Sequence, residues 1–136
     1  MIETGDDWKL WVLCDRDPID TWVEGNVALL GDAAHPTLQY YAQGACMAME
    51  DAVCLSHLLD RHRDDLNAGL VAYQEARIVR TARVQLGSRA IGDHVNHAEG
   101  VHARVRNEIL RSLSVEDTYD RIEWLYGNHG LSGLED

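Results

Sequence analysis

The alternation of apolar and polar positions divides the chain into a short strand-like front and a long helical remainder. Trp8 to Cys14, "WKLWVLC", alternates imperfectly and is rich in Trp, Leu and Val, which predicts a strand. A polar turn containing Pro18 follows, and Trp22 and Val23 then lead into Glu24-Gly25-Asn26, a turn signal. Val27 to Leu30 is a continuous apolar run, short enough for a strand buried on both faces. No regular element is expected just after Pro36. From Gly44 the run of Ala, Met, Leu, Glu and Cys predicts a helix over 44–59. A charged connector over 60–69 precedes a long helix over 70–96. There Val79, Ala82, Leu86 and Ala90 recur at helical spacing and predict a narrow apolar stripe. Gly87 and Gly92, on or near that stripe, mark a bend or close packing. Another helix is expected over 101–113. Ser114 and Asp117 have the spacing of an acidic capping box and open a last helix to about Tyr126, with Tyr119, Ile122 and Tyr126 on one face. The tail reads as a loop. The front strands have no evident sheet partners and the helices have modest stripes, so the chain reads as the end of something larger.

Composition narrows the class. The 136 residues suffice for one domain with a core, and 46% apolar against 26% charged content reads as globular. The formal net charge of -11, from 23 acidic and 12 basic residues, argues against nucleic acid or an anionic membrane as partner. No apolar run approaches the roughly 18 residues of a membrane-spanning helix. The acidic start, with Glu3, Asp6 and Asp7, lacks the pattern of a signal peptide. Of the cysteines Cys14, Cys46 and Cys54, the last two would lie about 12 Å apart along one helix, too far to bridge. Free thiols in a reducing, cytoplasmic compartment are the expectation.

The chemistry concentrates in "LLGDAAHPTLQYYAQGACMAMEDAV". Gly31 ends the apolar run, where the lack of a Cβ lets another group approach the backbone. Asp32 stands next, at the carboxyl end of a strand, where ligands sit in open α/β sheets. A lone carboxylate there suits the hydroxyls of a sugar or polyol. Pro36 stiffens the loop. Gln43-Gly44-Ala45-Cys46 then starts a helix with small side chains, leaving unpaired N–H donors and the positive end of the dipole open to a visitor. Such a start holds an anion or developing negative charge. Gly-Asp alone more often just caps a turn; the extended pattern changes that reading.

That pattern, Gly31-Asp32-Ala33-Ala34-His35-Pro36, a loop, Gly44, and Glu50-Asp51-Ala52, strongly resembles the flavin-contacting segment of FAD-dependent aromatic-ring hydroxylases, the p-hydroxybenzoate hydroxylase-like flavoprotein monooxygenases. Within them it is most similar to the branch that converts 3-hydroxybenzoate to gentisate, with the salicylate hydroxylases next. The resemblance implies FAD as cofactor, NADH or NADPH as reductant and a small aromatic acid as substrate. It implies that Gly31 and Asp32 serve the ribityl chain, that Pro36 lies beside the flavin, and that the N–H groups around Gln43, Gly44, Ala45 and Cys46 face the ring. Gln39 is the candidate substrate contact, with Tyr40 and Tyr41 weaker ones. No protein nucleophile is expected, because the oxygen chemistry belongs to the cofactor.

The resemblance covers nearly all of this chain but only about the final third of the family. The Gly-x-Gly-x-x-Gly unit that holds the ADP part of FAD has no counterpart here. Gly127, Gly130 and Gly133 lack the flanking strand and helix. The expected fold is therefore mainly α with a few N-terminal strands, derived from an α/β parent. Its regions are 1–26 (remnant of the substrate-domain strands), 27–62 (flavin-contacting strand, loop and helix) and 63–136 (helical end). Partners would be an N-terminal dinucleotide-binding part and a second copy as homodimer; alone, the chain is expected to be inactive and to expose apolar patches. The alternative is a non-catalytic helical module acting through self-association. Other constellations read as structural. His94, His97 and His102 with Asp93 suggest a solvated helix end before a metal site. Arg77, Arg80 and Arg83 suggest pairing with carboxylates of a neighbouring helix before a phosphate clasp. His35 is expected to order its loop by hydrogen bonding, and Met47 and Met49 to be core.

Overall fold

The computed structural model describes residues 5–127 and Leu134. Its only sheet among those residues is a small hairpin. Val23–Glu24 (β1) pairs antiparallel with Val27–Ala28 (β2), with Val23 opposite Ala28 and Glu24 opposite Val27. Gly25 takes φ 57° at the first central position of the two-residue turn, as such hairpins require. Two strand expectations are corrected. Only Val27 and Ala28 of the apolar run enter the ladder, and Val27 is 66% exposed. Trp8 to Cys14 forms no strand; it is irregular, and Leu10 is 97% exposed. The physical reason is common to both. A strand is made and buried by its neighbours, and among the described residues β2 has only β1 beside it and segment 8–14 has no strand.

The helices follow the sequence closely. Helix α1 spans Gly44–Arg61. Helix α2 spans Leu66–Ile91 and starts earlier than expected because the Asp65 side chain caps it, accepting from the Ala68 N–H at 3.0 Å. It ends sooner as well, passing into a π-helical stretch over Gly92–Asn96. Helix α3 spans Gly100–Ser112 and α4 spans Val115–Tyr126. The Ser114–Asp117 capping box is present in both directions, and the bonds from Ser114 hold the Asp117 carboxyl below its usual range. The anticipated face of α4 is mostly exposed at Tyr119 and Tyr126; Leu125 is its buried residue.

The apolar stripe on α2 is also corrected. Val79 is 76% and Leu86 51% exposed. The face of α2 that is buried carries Leu70, Tyr73, Arg77, Thr81, Val84, Gln85 and Ser88. Polar side chains can occupy this inner face because they bond the backbone and carboxylates of the segments packed on it. Likewise Met47 is core, but Met49 is exposed. Two small apolar clusters result. Trp22, Ala34, Cys54 and Tyr73 form one; Met47, Val84 and Leu125 form the other. The three cysteines are free. Gly130 and Gly133 of the terminal glycine series lie outside the described residues.

Gly87 and Gly92 are sites of close packing. A Cβ at Gly87 would stand 2.6 Å from the Tyr41 ring, and one at Gly92 2.5 Å from the Tyr40 ring. Gly87→Ala and Gly92→Ala are therefore expected to lower the melting temperature. Overpacking costs about 1–3 kcal/mol, against the gain of roughly 1 kcal/mol from Ala over Gly in a helix. A thermal melt by circular dichroism checks this; an unchanged or higher midpoint would show that the rings swing aside freely.

Candidate functional site

The site grows from the turn after β2. Gly31 is buried at φ +58°, a conformation that favours glycine. A Cβ there would also stand only 3.2 Å from Ala48 Cβ of α1. The chain then closes a tight 3₁₀ turn over Gly31–Ala33, and the N–H groups of Ala34 and His35 both donate to the Gly31 carbonyl at 2.8 Å.

One buried carboxylate holds this turn. Asp51, on the inner face of α1, is fully buried. Its Oδ2 accepts from the Gly31 N–H at 3.1 Å and from His35 Nε2 at 2.6 Å. Its Oδ1 accepts from Arg77 Nε at 2.7 Å. The Arg77 guanidinium also pairs with Glu50 at 2.8 Å, and Arg80 binds Glu50 through two nitrogens, each at 2.8 Å. Burial by itself raises the Asp51 carboxyl, but the bonds and charges of His35 and Arg77 outweigh it and hold the group below its usual range. Glu50 is held low in the same way by Arg80 and Arg77, against burial. Burial and the nearby Asp51 push the Tyr73 phenol up, and burial pushes the Cys54 thiol up. Neither group is poised to ionise near neutrality.

Helix α2 and the preceding segment hold the loop that follows. Arg16 donates to the Ala33 and Ala34 carbonyls at 2.5 and 2.7 Å. Gln85 Nε2 donates to the Pro36 carbonyl at 3.0 Å, and Ser88 Oγ to the Leu38 carbonyl at 2.5 Å. A 3₁₀ turn over Gln39–Tyr41 and a left-handed Ala42 then deliver the chain to the start of α1.

Between the turn and that helix start lies a cavity of about 550 Å³, lined by Gly31, Asp32, Thr37, Gln39, Gly44 and Ala45 together with small and aliphatic neighbours. Asp32 is exposed and has no hydrogen-bond or ion-pair partner among the described residues. The N-terminus of α1 has no side-chain cap, since Gln43 does not bond it. Gly44 faces Asp32 across the gap: a Cβ on it would lie 3.6 Å from Thr37 Cγ2 and 3.9 Å from Asp32 Oδ1. A free acceptor thus stands opposite free donors at the positive end of a helix. That combination is chemically suited to a ligand with hydroxyls on one part and an electron-rich edge on another.

The structure thus brings Gly31, Asp32, Gln39, Gly44 and Ala45 around one cavity. It does not bring the side chains of Pro36, Gln43 and Cys46 there. Gln43 is buried, Cys46 packs on the Met47 cluster, and Pro36 is half-buried in the loop tied by Gln85. Tyr40 and Tyr41 are packing residues: Tyr40 bonds His97 Nε2 at 2.6 Å, and Tyr41 meets the Trp124 ring edge-on. His35 orders its loop, and Arg77 and Arg80 pair with α1, as the sequence suggested. Arg83 instead lies over the Trp124 ring, 3.8 Å from its centroid. His94 packs on His102, and the described residues contain no metal-binding group of three or more side chains. The sequence reading missed Asp51, Gln85 and Ser88 as supports of the turn. The signal for Asp51 was present, in adjacent Glu50-Asp51 opposite an Arg-x-x-Arg on the next helix; for Gln85 and Ser88 there was none.

No family model matches the chain. Curated relatives do. It is 54% identical over 127 residues to 3-hydroxybenzoate 6-hydroxylase 1 of Aquipseudomonas alcaligenes, covering 93% of this chain and 32% of the relative. The 3-hydroxybenzoate 6-hydroxylase of Polaromonas naphthalenivorans (strain CJ2) is 49% identical with the same coverage, 93% and 32%. The FAD-dependent urate hydroxylase of Mycolicibacterium vanbaalenii is 43% identical over 116 residues, covering 85% of this chain and 29% of the relative. The chain therefore spans about a third of the length of the curated relatives it matches.

Proposed function

The chain is homologous over most of its length to part of the 3-hydroxybenzoate 6-hydroxylases, and from that premise we propose that it is the C-terminal part of an FAD-dependent monooxygenase acting on a small aromatic acid, 3-hydroxybenzoate to gentisate. Its regions would be 1–26, 27–62 and 63–136 as read from the sequence, the middle one meeting the flavin. An N-terminal dinucleotide-binding part would hold the ADP portion of FAD, NADH or NADPH would supply electrons, and the assembly would be a cytoplasmic homodimer. The relatives' being hydroxylases speaks against a purely non-catalytic module.

The observation that carries the reading is the unpartnered Asp32 facing the uncapped start of α1 across one cavity. FAD fits it by chemistry: the ribityl hydroxyls would donate to the Asp32 carboxylate, and the N–H groups at Gly44 and Ala45 would face the oxygen-bearing edge of the ring. When bound, the flavin takes electrons from the reductant and activates oxygen for ring hydroxylation. The protein's part is electrostatic and geometric. The helix start stabilises negative charge that develops beside it. The small residues Gly44, Ala45 and Ala48 leave room for a flat group, and exposed Gln39, which lines the same cavity, would bond a polar substituent of the substrate.

The test is a titration of FAD into the chain co-expressed with the preceding two thirds of the Aquipseudomonas relative, followed by flavin absorbance and fluorescence. Binding with a spectral shift is expected, and Asp32→Ala should weaken it about tenfold or more, the scale of hydrogen bonds to a charged group. No spectral shift for the wild-type assembly would overturn the reading.

A further inference from the structure

Asp32 makes no bond of its own, so its position is dictated by the turn that carries it. That turn is clamped at both ends by a single atom. Asp51 Oδ2 accepts from Gly31 N–H at the entrance and from His35 Nε2 at the exit. The other oxygen, Oδ1, is fixed from α2 by Arg77 Nε. Asp51 and Arg77 are both buried, at 0% and 1% relative exposure, so water does not compete for these bonds. A side chain at position 31 would crowd α1, since a Cβ there would stand 3.2 Å from Ala48 Cβ.

We propose that Asp51 is a positioning residue for the ligand-binding carboxylate: the Arg77–Asp51 pair transmits the placement of α2 and α1 to Asp32, and so sets its distance from the Gly44 helix start. Asp51 does not touch the ligand; it acts through the turn. The inference rests on the FAD reading for its functional consequence, but the clamp itself is testable without any cofactor. Loss of that carboxylate frees the Gly31 amide and the His35 ring together; Arg77 still pairs with Glu50, so the largest effect falls at residues 31–35. A general packing role would instead loosen α1 and α2 along their whole length.

Two readouts decide it. The first is amide hydrogen exchange of the chain by NMR. Asp51→Asn should speed exchange at Gly31 by about tenfold or more, the scale of a lost charge-assisted hydrogen bond, while Leu58 and Leu59 near the far end of α1 keep their rates. His35→Gln, which leaves Arg77 paired, should give a smaller acceleration at the same residue and stands in if Asp51→Asn does not fold. Unchanged exchange at Gly31 would overturn the inference, and so would equal acceleration along α1. The second is a double-mutant cycle of Asp32→Ala with Asp51→Asn, or with His35→Gln, on FAD binding by the co-expressed assembly. Residues acting through one another should be non-additive: the second change should add little once Asp32 is gone, whereas full additivity overturns the coupling. If the wild-type assembly binds no FAD, the functional reading fails and the exchange result still decides the clamp.

Discussion

Replacing Arg77 by Ala is expected to cost about 3–5 kcal/mol and to lower the melting temperature of the chain by about 10 °C or more. Arg77 is 1% exposed and bonds Asp51 Oδ1 while pairing with Glu50. Without it, the Asp51 carboxylate is left in a site buried from solvent, with no cation but His35 in bonding reach among the described residues. The penalty is thus the uncompensated carboxylate, more than the lost attraction. Thermal denaturation at neutral pH checks this. A melting temperature for Arg77→Ala within a degree or two of wild type would show that water reaches the pair.

The second large effect is acid unfolding. The carboxyls of Asp51 and Glu50 are both held below their usual values, 3.8 and 4.5, in the folded chain. A folded pKa below the unfolded one means that the unfolded chain binds protons first as pH falls. The contribution is present in full above the unfolded values and is lost as pH drops through the folded ones. Stability should therefore be level from neutrality to about pH 5 and fall steeply below about pH 4. The groups facing these carboxyls are His35, Arg77, Tyr73 and Cys54 around Asp51, and Arg77 and Arg80 around Glu50. Urea melts across this range check the slope. Asp51→Asn should start less stable at neutral pH and lose less on acidification; an identical pH slope in that variant would show that other carboxyls govern the transition.

What was legible in the sequence follows from locality. The capping box at Ser114 and Asp117 and the Gly25 hairpin turn need only residues two to four apart, so both could be read directly. The start of α1 at Gly44 is equally local, because propensity changes there within a few residues. Gly87 and Gly92 could be recognised as packing sites, since a missing Cβ in a helix invites a close neighbour. That the neighbours are Tyr41 and Tyr40 could not, because they lie far away in the chain.

The failures have one source as well. Trp8 to Cys14 has the composition of a strand, but a strand exists through a ladder, and the one ladder among the described residues joins β1 to β2. The stripe Val79–Ala82–Leu86–Ala90 has the right period, yet the opposite choice of face won. Arg77, Gln85 and Ser88 turn inward because each meets a backbone or carboxylate acceptor there. Hydrophobic periodicity counts side chains and is blind to those acceptors.

By itself, then, the sequence determined the order of helices, the turn at Gly31-Asp32 and the small-residue helix start that suits a ligand. These depend on backbone preference and on contacts along a few residues of chain. Only the tertiary structure decided that Asp51 clamps the turn, that Asp32 is left free, and that Gly44 stands across a cavity from it. Those facts depend on α1 and α2 lying side by side, which brings residues 31, 51 and 77 within hydrogen-bond reach; of that meeting the sequence carries only the matched charges of Glu50-Asp51 and Arg77-x-x-Arg80, and nothing that ties them to Gly31.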